Sequence, residues 1–586
     1  MKKPKIIVVG GGLAGLMAVI KVAEAGWPVQ LFSVVPVRRS GSVLAQGGIN
    51  AALDAKREGD SPEVHFQETI TAGDFLANQE LPRQMCFKAP EIISLFDRMG
   101  VMFNRTPEGW INFRRVGGTH SMGGAKYCRT AYAGHTTGQQ LLYALDEQVR
   151  RFEAEGLVEK FEGWEFLSII KDDRMAGRDV CRGIVAMHLA TQEVKAFPAS
   201  AVIVSTGGLG LVFGRSTNSV LSNGSAASAV YQQGAWYANG EFIQVHPTTI
   251  PGEDKYRMIS EAARDEGGRL WVYRDGKPWY FLEEWHQGNQ VPGNLVCRSI
   301  HKVIHELGLG IDGGSMVYLD ISHLPEEILQ RRLKGVVETC EKFTAENPRK
   351  VPIKVAPAAH YSMGGLWVDD DHMTSIPGVL AAGECDYQYH GADRLGGNAL
   401  LSCVYGGMKA GITAVHHAAG LEKGEADPAI FSEGVKRQWG INQEIIDRSG
   451  NENPHKLHQE LGEWMTEHAT VVRYNDKLKK TDEKIQELKL KMKKISLTDR
   501  GNWANRELVF ARQLHNMLEL TRVIVLGALL RDESRGAHYK PEFPERDDRN
   551  FLKTTKASWT PNGPKIEYED VNLKYIKPEW KKSTSK

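Results

Sequence analysis

The chain has 586 residues, too many for one ordinary core, so roughly two to four domains are expected. Lys+Arg number 73 and Asp+Glu 72, a balance that gives no reason to expect nucleic acid or an anionic membrane as the main partner. The 7 cysteines are scattered without a C-x-x-C pair, so no disulfide framework, zinc site or iron–sulfur site can be read from them, and a reducing cytoplasm fits best.

The first stretch, MKKPKIIVVGGGLAGLMAVIKVAEAGW, begins like a secretory leader, basic and then apolar. Its consecutive glycines, the amphipathic helix pattern behind them and the lack of a small-residue cleavage pattern read instead as structure. Lys5 to Gly10, KIIVVG, suits a buried parallel strand. Gly10-Gly11-Gly12-Leu13-Ala14-Gly15 follows, then a helical pattern through Ala25. Gly10 permits the tight turn, Gly12 lets the backbone approach a pyrophosphate, and Gly15 allows the helix to pack closely on the strand. The helix N-terminus then faces the anion. The acidic residue expected after the second strand, PVQLF, to hold a ribose is replaced by Ser33. That weakens an NAD reading and leaves FAD open, its ribose held by a hydroxyl or by backbone. AVIVSTGGLG at 201–210 and GVLAAGEC at 378–385, ending at Glu384, repeat the strand-then-glycine idea. Three such strand ends suit one large sheet with an insertion and one extended cofactor.

Further along come AQGGIN at 45–50, NGEFIQVHPT at 239–248, HYSMGGLWV at 360–368, AAGECDYQYHGADRLGGNALL at 381–401, ESRGAHYKPEFPERDD at 533–548 and ASW at 557–559. In this order and nearly end to end they resemble the flavoprotein subunits of succinate dehydrogenase and fumarate reductase, most nearly those partnered by a di-haem membrane anchor. The resemblance implies an α/β fold: a Rossmann-like FAD-binding domain with an inserted α+β capping domain, followed by a C-terminal helical domain. The expected bounds are 1–250 and 352–430 for the flavin domain, 251–351 for the cap, 431–535 for the helices and 536–586 for a tail wrapping back on the surface. Within the helices, KLKKTDEKIQELKLKMKKI reads as a solvated helix of a bundle rather than a nucleic-acid arm.

By the same resemblance FAD is the cofactor, bound by Gly10, Gly12, Leu13, Ala14, Gly15, Ser33, Arg39, Ser40, Ser42, Gln46, Gly47, Gly48, Glu384, Ala399 and Leu400. Succinate and fumarate are small dianions that differ by two hydrogens, so their site needs strong donors at both ends and a proton carrier. The resemblance gives His360 and Arg394 one carboxylate, and His246 with the Ser260 hydroxyl the other. Arg298 is implied as the catalytic proton carrier, with Gln244 and Glu261 continuing a relay, and no metal is expected.

Four departures fall near this centre. Ser299 stands where the family usually carries an aspartate, Val116 where it carries a phenylalanine, and 120–127 looks like a longer connection. Where the family reads RSH[ST], with a histidine bonded to the flavin 8α-methyl carbon, this chain reads Arg39-Ser40-Gly41-Ser42. Gly41 has no side chain to form the bond, so FAD is expected to be held non-covalently, or anchored by another residue such as His120 or His135. Loss of the link lowers the flavin potential and favours fumarate reduction. The resemblance further implies an iron–sulfur subunit and a haem-containing membrane anchor as partners, quinone as the indirect electron carrier, and a place on the cytoplasmic face of the cell membrane. Two competing readings are a soluble L-aspartate oxidase-like flavoenzyme and a flavin-binding paralogue with impaired catalysis.

Overall fold

The computed structural model describes residues 5–116, 127–172, 179–286, 288–289, 291–421 and 426–578. The run Ile6–Val9 is fully buried and lies at the centre of a five-stranded parallel sheet. The strand order is Val379–Ala381, Ala201–Val204, Ile6–Val9, Val29–Ser33, Val158–Glu162. A central parallel strand is covered on both faces, which explains why this segment is apolar at every position. Ile6 and Val8 pack with the helices Leu13–Glu24 and Asn398–Gly420, while Ile7 and Val9 face the antiparallel strands Trp164–Asp172 and Val180–His188. Segments nearly 400 residues apart in sequence thereby bring their glycine-bearing strand ends to one edge. A Cβ on Gly15 would sit 1.9 Å from the Gly10 carbonyl oxygen, so only glycine lets the helix come this close to the turn.

The cap has its own core around Leu270, Val317 and Val355. Its six-stranded sheet is built outward from two long antiparallel strands, Ile243–Ile250 and Ile353–Ser362. These strands flank the 251–351 insertion and carry site residues at their ends near the flavin sheet. The helices Pro428–Asp447, Pro454–His468, Asn475–Met492 and Arg506–Leu530 follow. Asn475–Met492 buries Leu478, Ile485, Leu488 and Met492 and leaves its lysine-rich face to solvent.

The segment after 536 does more than wrap the surface. Lys553–Ser558 and Lys565–Asp570 form a hairpin that completes a sheet with Tyr237–Ala238 and Gly365–Leu366. A buried charge cluster fastens it. Arg531 donates to Glu241 at 2.8 Å, Glu533 at 2.9 Å and Thr555 at 2.7 Å, and Arg535 donates to both oxygens of Glu533, at 2.7 and 2.9 Å. Arg531, Glu241 and Glu533 are wholly buried. Removing one member strands the others without solvent. E533A is therefore expected to cost about 3–5 kcal/mol, seen as an earlier urea midpoint, and an unchanged midpoint would show the cluster to be dispensable.

Candidate active site

One cavity of about 1200 Å³ runs from the glycine turn to the cap. At the turn, Gly12 opens the helix without a side-chain cap, and the Leu13 N–H donates to the Ser42 hydroxyl at 3.2 Å. The loop carrying Ser42 is pinned from two sides. Asn50 donates to the Gly396 carbonyl at 2.7 Å, and Arg114, stacked on the Tyr132 ring, donates to the carbonyls of Gln46 at 2.9 Å and Gly47 at 2.8 Å. Gly10, Gly12, Leu13, Ala14, Ser33, Ser40, Ser42, Gln46, Gly47, Gly48, Glu384, Ala399 and Leu400 all line the cavity. Glu384 accepts from the Ser362 N–H at 3.1 Å, and burial pushes its carboxyl up to about 7.

Two of the expected cofactor residues stand elsewhere. Gly15 lies behind the turn and acts through packing. Arg39 is exposed at the end of the helical turn Val37–Arg39 and does not reach the cavity; this turn buries Val37 and commits Arg38 to Asp146 and Glu147. Ser33 reaches the cavity, but its hydroxyl is spent on the Val35 carbonyl at 2.6 Å. A helix N-terminus at a glycine turn, with no side chain of its own at the cap position, in a cleft running to both sides of it, fits a dinucleotide such as FAD.

Gly41 lines the same cavity, and its backbone makes no demand for glycine. Its φ lies outside the left-handed region, and the nearest atom to an added Cβ is Ser219 Cβ at 3.6 Å, ordinary contact. His135 also lines the cavity, whereas His120 and the rest of 120–126 lie outside the described residues.

At the cap end the two long strands set His246 beside His360, ring centroids 5.4 Å apart and tilted 67°. Burial lowers His246 to about 4 and His360 well below the ordinary imidazole value, so both rings are neutral at pH 7. Nδ1 of His360 lies 2.7 Å from the Thr217 hydroxyl. When that hydroxyl donates, the ring's own proton sits on Nε2. Arg394 supplies the charge. Its guanidinium stacks over Tyr361 at 4.6 Å and donates to the Gln244 carbonyl oxygen at 2.7 Å. The Gln244 amide in turn donates to Asp393 at 2.7 Å and to the Arg394 carbonyl at 2.9 Å. Gln244 therefore orients Arg394, and an amide held this way is no proton carrier. Ser260 accepts from the Ala262 N–H at 3.3 Å, which leaves its own proton for the cavity.

Arg298 enters from the cap on the helix Gly293–His301. It donates to the Gly536 carbonyl at 3.0 Å and lies 4.1 Å over the Tyr539 ring. Desolvation lowers its pKa, against the pull of Tyr539, Asp393 and Asp74. Glu261 lines the cavity and accepts from the buried Arg264 at 3.2 Å. Ser299 is buried on the same helix as Arg298, its hydroxyl 3.0 Å from His286 Nε2, and Val116 is part of the cavity wall. Thr217, Arg114 and the Gly536 carbonyl had escaped sequence reasoning. Thr217 sits in no motif, Arg114 lies two residues before Val116 in a family-like segment without being singled out, and a backbone carbonyl leaves no mark on a sequence.

A parallel sheet with a glycine turn at its centre, and a cap that brings an arginine to the same cleft, define a flavoprotein of the FAD-binding oxidoreductase class. Residues 5–400 match the family model described as FAD binding domain, and residues 458–583 the one described as Fumarate reductase flavoprotein C-term. The succinate dehydrogenase flavoprotein subunit of Bacillus subtilis (strain 168) is 58% identical over 584 residues, covering 99% of this chain and 98% of its own. The fumarate reductase flavoprotein subunit of Escherichia coli (strain K12) is 32% identical over 594 residues, covering 98% and 94%. Among solved structures, a mutant E. coli quinol fumarate reductase superposes with a TM-score of 0.91 at 31% identity, covering 99% of each chain. The chain belongs to the family of succinate dehydrogenase and fumarate reductase flavoprotein subunits.

Proposed function

We propose that this chain interconverts succinate and fumarate in the cavity where Arg298, Arg394, His246, His360 and Ser260 converge beside the dinucleotide turn. That convergence carries the reading. FAD, when bound, supplies the hydride donor or acceptor. The protein does the rest. Arg394, held flat by Gln244 and Tyr361, pairs with one carboxylate, aided by the Nε2–H of His360. His246 and the Ser260 hydroxyl hold the other. Arg298, destabilised as a cation by burial, delivers or removes the proton at the carbon opposite the hydride. The cap excludes water while both transfers occur.

The relatives that span almost the whole chain carry succinate dehydrogenase or fumarate reductase names, which favours this reading over an amino-acid oxidase. The flavin is held non-covalently, because Gly41 offers no atom for a bond. No cysteine motif in the sequence could hold an electron relay, and among the described residues no helix is long and apolar enough to cross a membrane. The likeness to succinate dehydrogenase and fumarate reductase subunits supports passage of electrons to an iron–sulfur subunit, and through it to a haem-containing anchor and quinone, with this chain held peripherally at the cytoplasmic face. The deciding experiment is anaerobic. Reduced, FAD-loaded protein is freed of reductant and mixed with fumarate, and return of the oxidised flavin band supports the reading. Stable reduced flavin would leave an impaired paralogue.

R394Q tests the dicarboxylate clamp. It removes one charge-assisted contact, so the fumarate dissociation constant of the oxidised protein should rise about 10- to 100-fold in a flavin-absorbance titration. A change below threefold would take Arg394 out of the site.

A further inference from the structure

The ribose end of the dinucleotide cleft lacks the carboxylate that usually closes it, because Ser33 ends its strand with a hydroxyl already bonded to Val35. The neighbouring strand continues the site. Glu162 is the register partner of Ser33, and the Gly163 N–H donates to the Ser33 carbonyl at 2.7 Å. Two residues on, Glu165 lines the cavity at 8% exposure. Its Oε1 accepts from the Gln513 amide at 3.1 Å, and among the described residues its Oε2 accepts nothing. Arg512 acts on Glu165 through its charge but makes no hydrogen bond to it, its NH groups donating to Gln438 and Asn442. A carboxyl group with one oxygen oriented by Gln513 and the other facing the cleft is placed to accept from whatever fills it.

Gln513 belongs to the helix Arg506–Leu530, far from the flavin sheet in sequence. Ala504, Arg506, Val509 and Phe510 line the same end of the cavity. The two sides are also tied by backbone, the Ala504 N–H donating to the Ala190 carbonyl at 2.7 Å. We propose that Glu165, oriented by Gln513, binds a ribose hydroxyl of the adenosine half of FAD and so supplies the carboxylate missing at Ser33. The helical segment thereby becomes one wall of the cofactor site. This rests on the assignment of FAD to the cleft.

The test uses full-length apoprotein from riboflavin-depleted cells, titrated calorimetrically with FAD, ADP, inosine diphosphate and FMN. E165A should weaken FAD, ADP and inosine diphosphate about tenfold, the loss of one hydrogen bond to a charged group, and leave FMN unchanged. E165Q keeps the volume and the fold and removes the charge, and should weaken the same three ligands at least threefold. ADP binding unchanged in both variants, or in E165Q where E165A does not fold, overturns the proposal. A loss confined to ADP and absent with inosine diphosphate would move the contact to the adenine amine and overturn the ribose assignment. Failure of the unsubstituted chain to bind FAD at all would instead overturn the cofactor reading itself.

Discussion

Arg298→Lys is expected to leave the flavin bound and to slow reoxidation by fumarate about 10²- to 10⁴-fold, the usual contribution of a positioned acid or base. The guanidinium spans two tasks. One nitrogen donates to the Gly536 carbonyl, and the plane lies on Tyr539, which fixes the group at the mouth of the cap. A lysine ammonium is a hydrated point charge without the planar fork, so it can hold the carbonyl or face the substrate but not both. Burial already lowers the proton affinity of Arg298, which is the property a cationic acid needs if it is to release a proton. Flavin absorbance separates occupancy from chemistry. A rate within tenfold of the unsubstituted protein, at full occupancy, would assign the proton to another group, with Glu261 and Arg264 next in line.

Gly41→His is the second large effect. The unsubstituted protein should release all its flavin on acid precipitation, leaving a colourless pellet. An added Cβ at position 41 finds 3.6 Å to Ser219 and no forbidden backbone angle, so the variant should fold with its imidazole in the flavin cleft. Retention of yellow colour in the acid pellet of G41H is the expected gain. A linked flavin is easier to reduce, so the ratio of succinate oxidation to fumarate reduction should rise as well. A yellow pellet from the unsubstituted protein would end the non-covalent reading and turn attention to His135.

The cofactor half of the molecule was legible because its chemistry is written in contiguous residues. Gly10 to Gly15 form a turn, an anion site and a packing contact within six positions, and each role requires a particular residue type there. Arg39 came with the motif that carries the resemblance, and a motif does not give direction in space. Arg38 is drawn off to Asp146 and Glu147 and Arg39 is exposed, while Ser40 and Ser42 line the cleft. The substrate end was legible only through resemblance. His246 and His360 are 114 positions apart, and what joins them is an antiparallel register that no local pattern encodes. Gln244 came with the family motif as part of a proton relay. Its amide is instead bonded to Asp393 and Arg394, which makes it a clamp. The buried charges of ESRGAHYKPEFPERDD read as a family signature, and only packing shows that they fasten a carbonyl to Arg298.

The tail that provides that carbonyl also bears on how the cleft is completed. The first strand and the glycine turn open it, yet its far wall comes from 504–513, and the anchor of Arg298 from Gly536. The last hairpin then locks the tail to Tyr237–Ala238. The cleft is therefore complete only when segments about 500 residues apart in sequence have packed together. Tight flavin binding is in consequence a property of the whole packed chain and not of the dinucleotide domain alone.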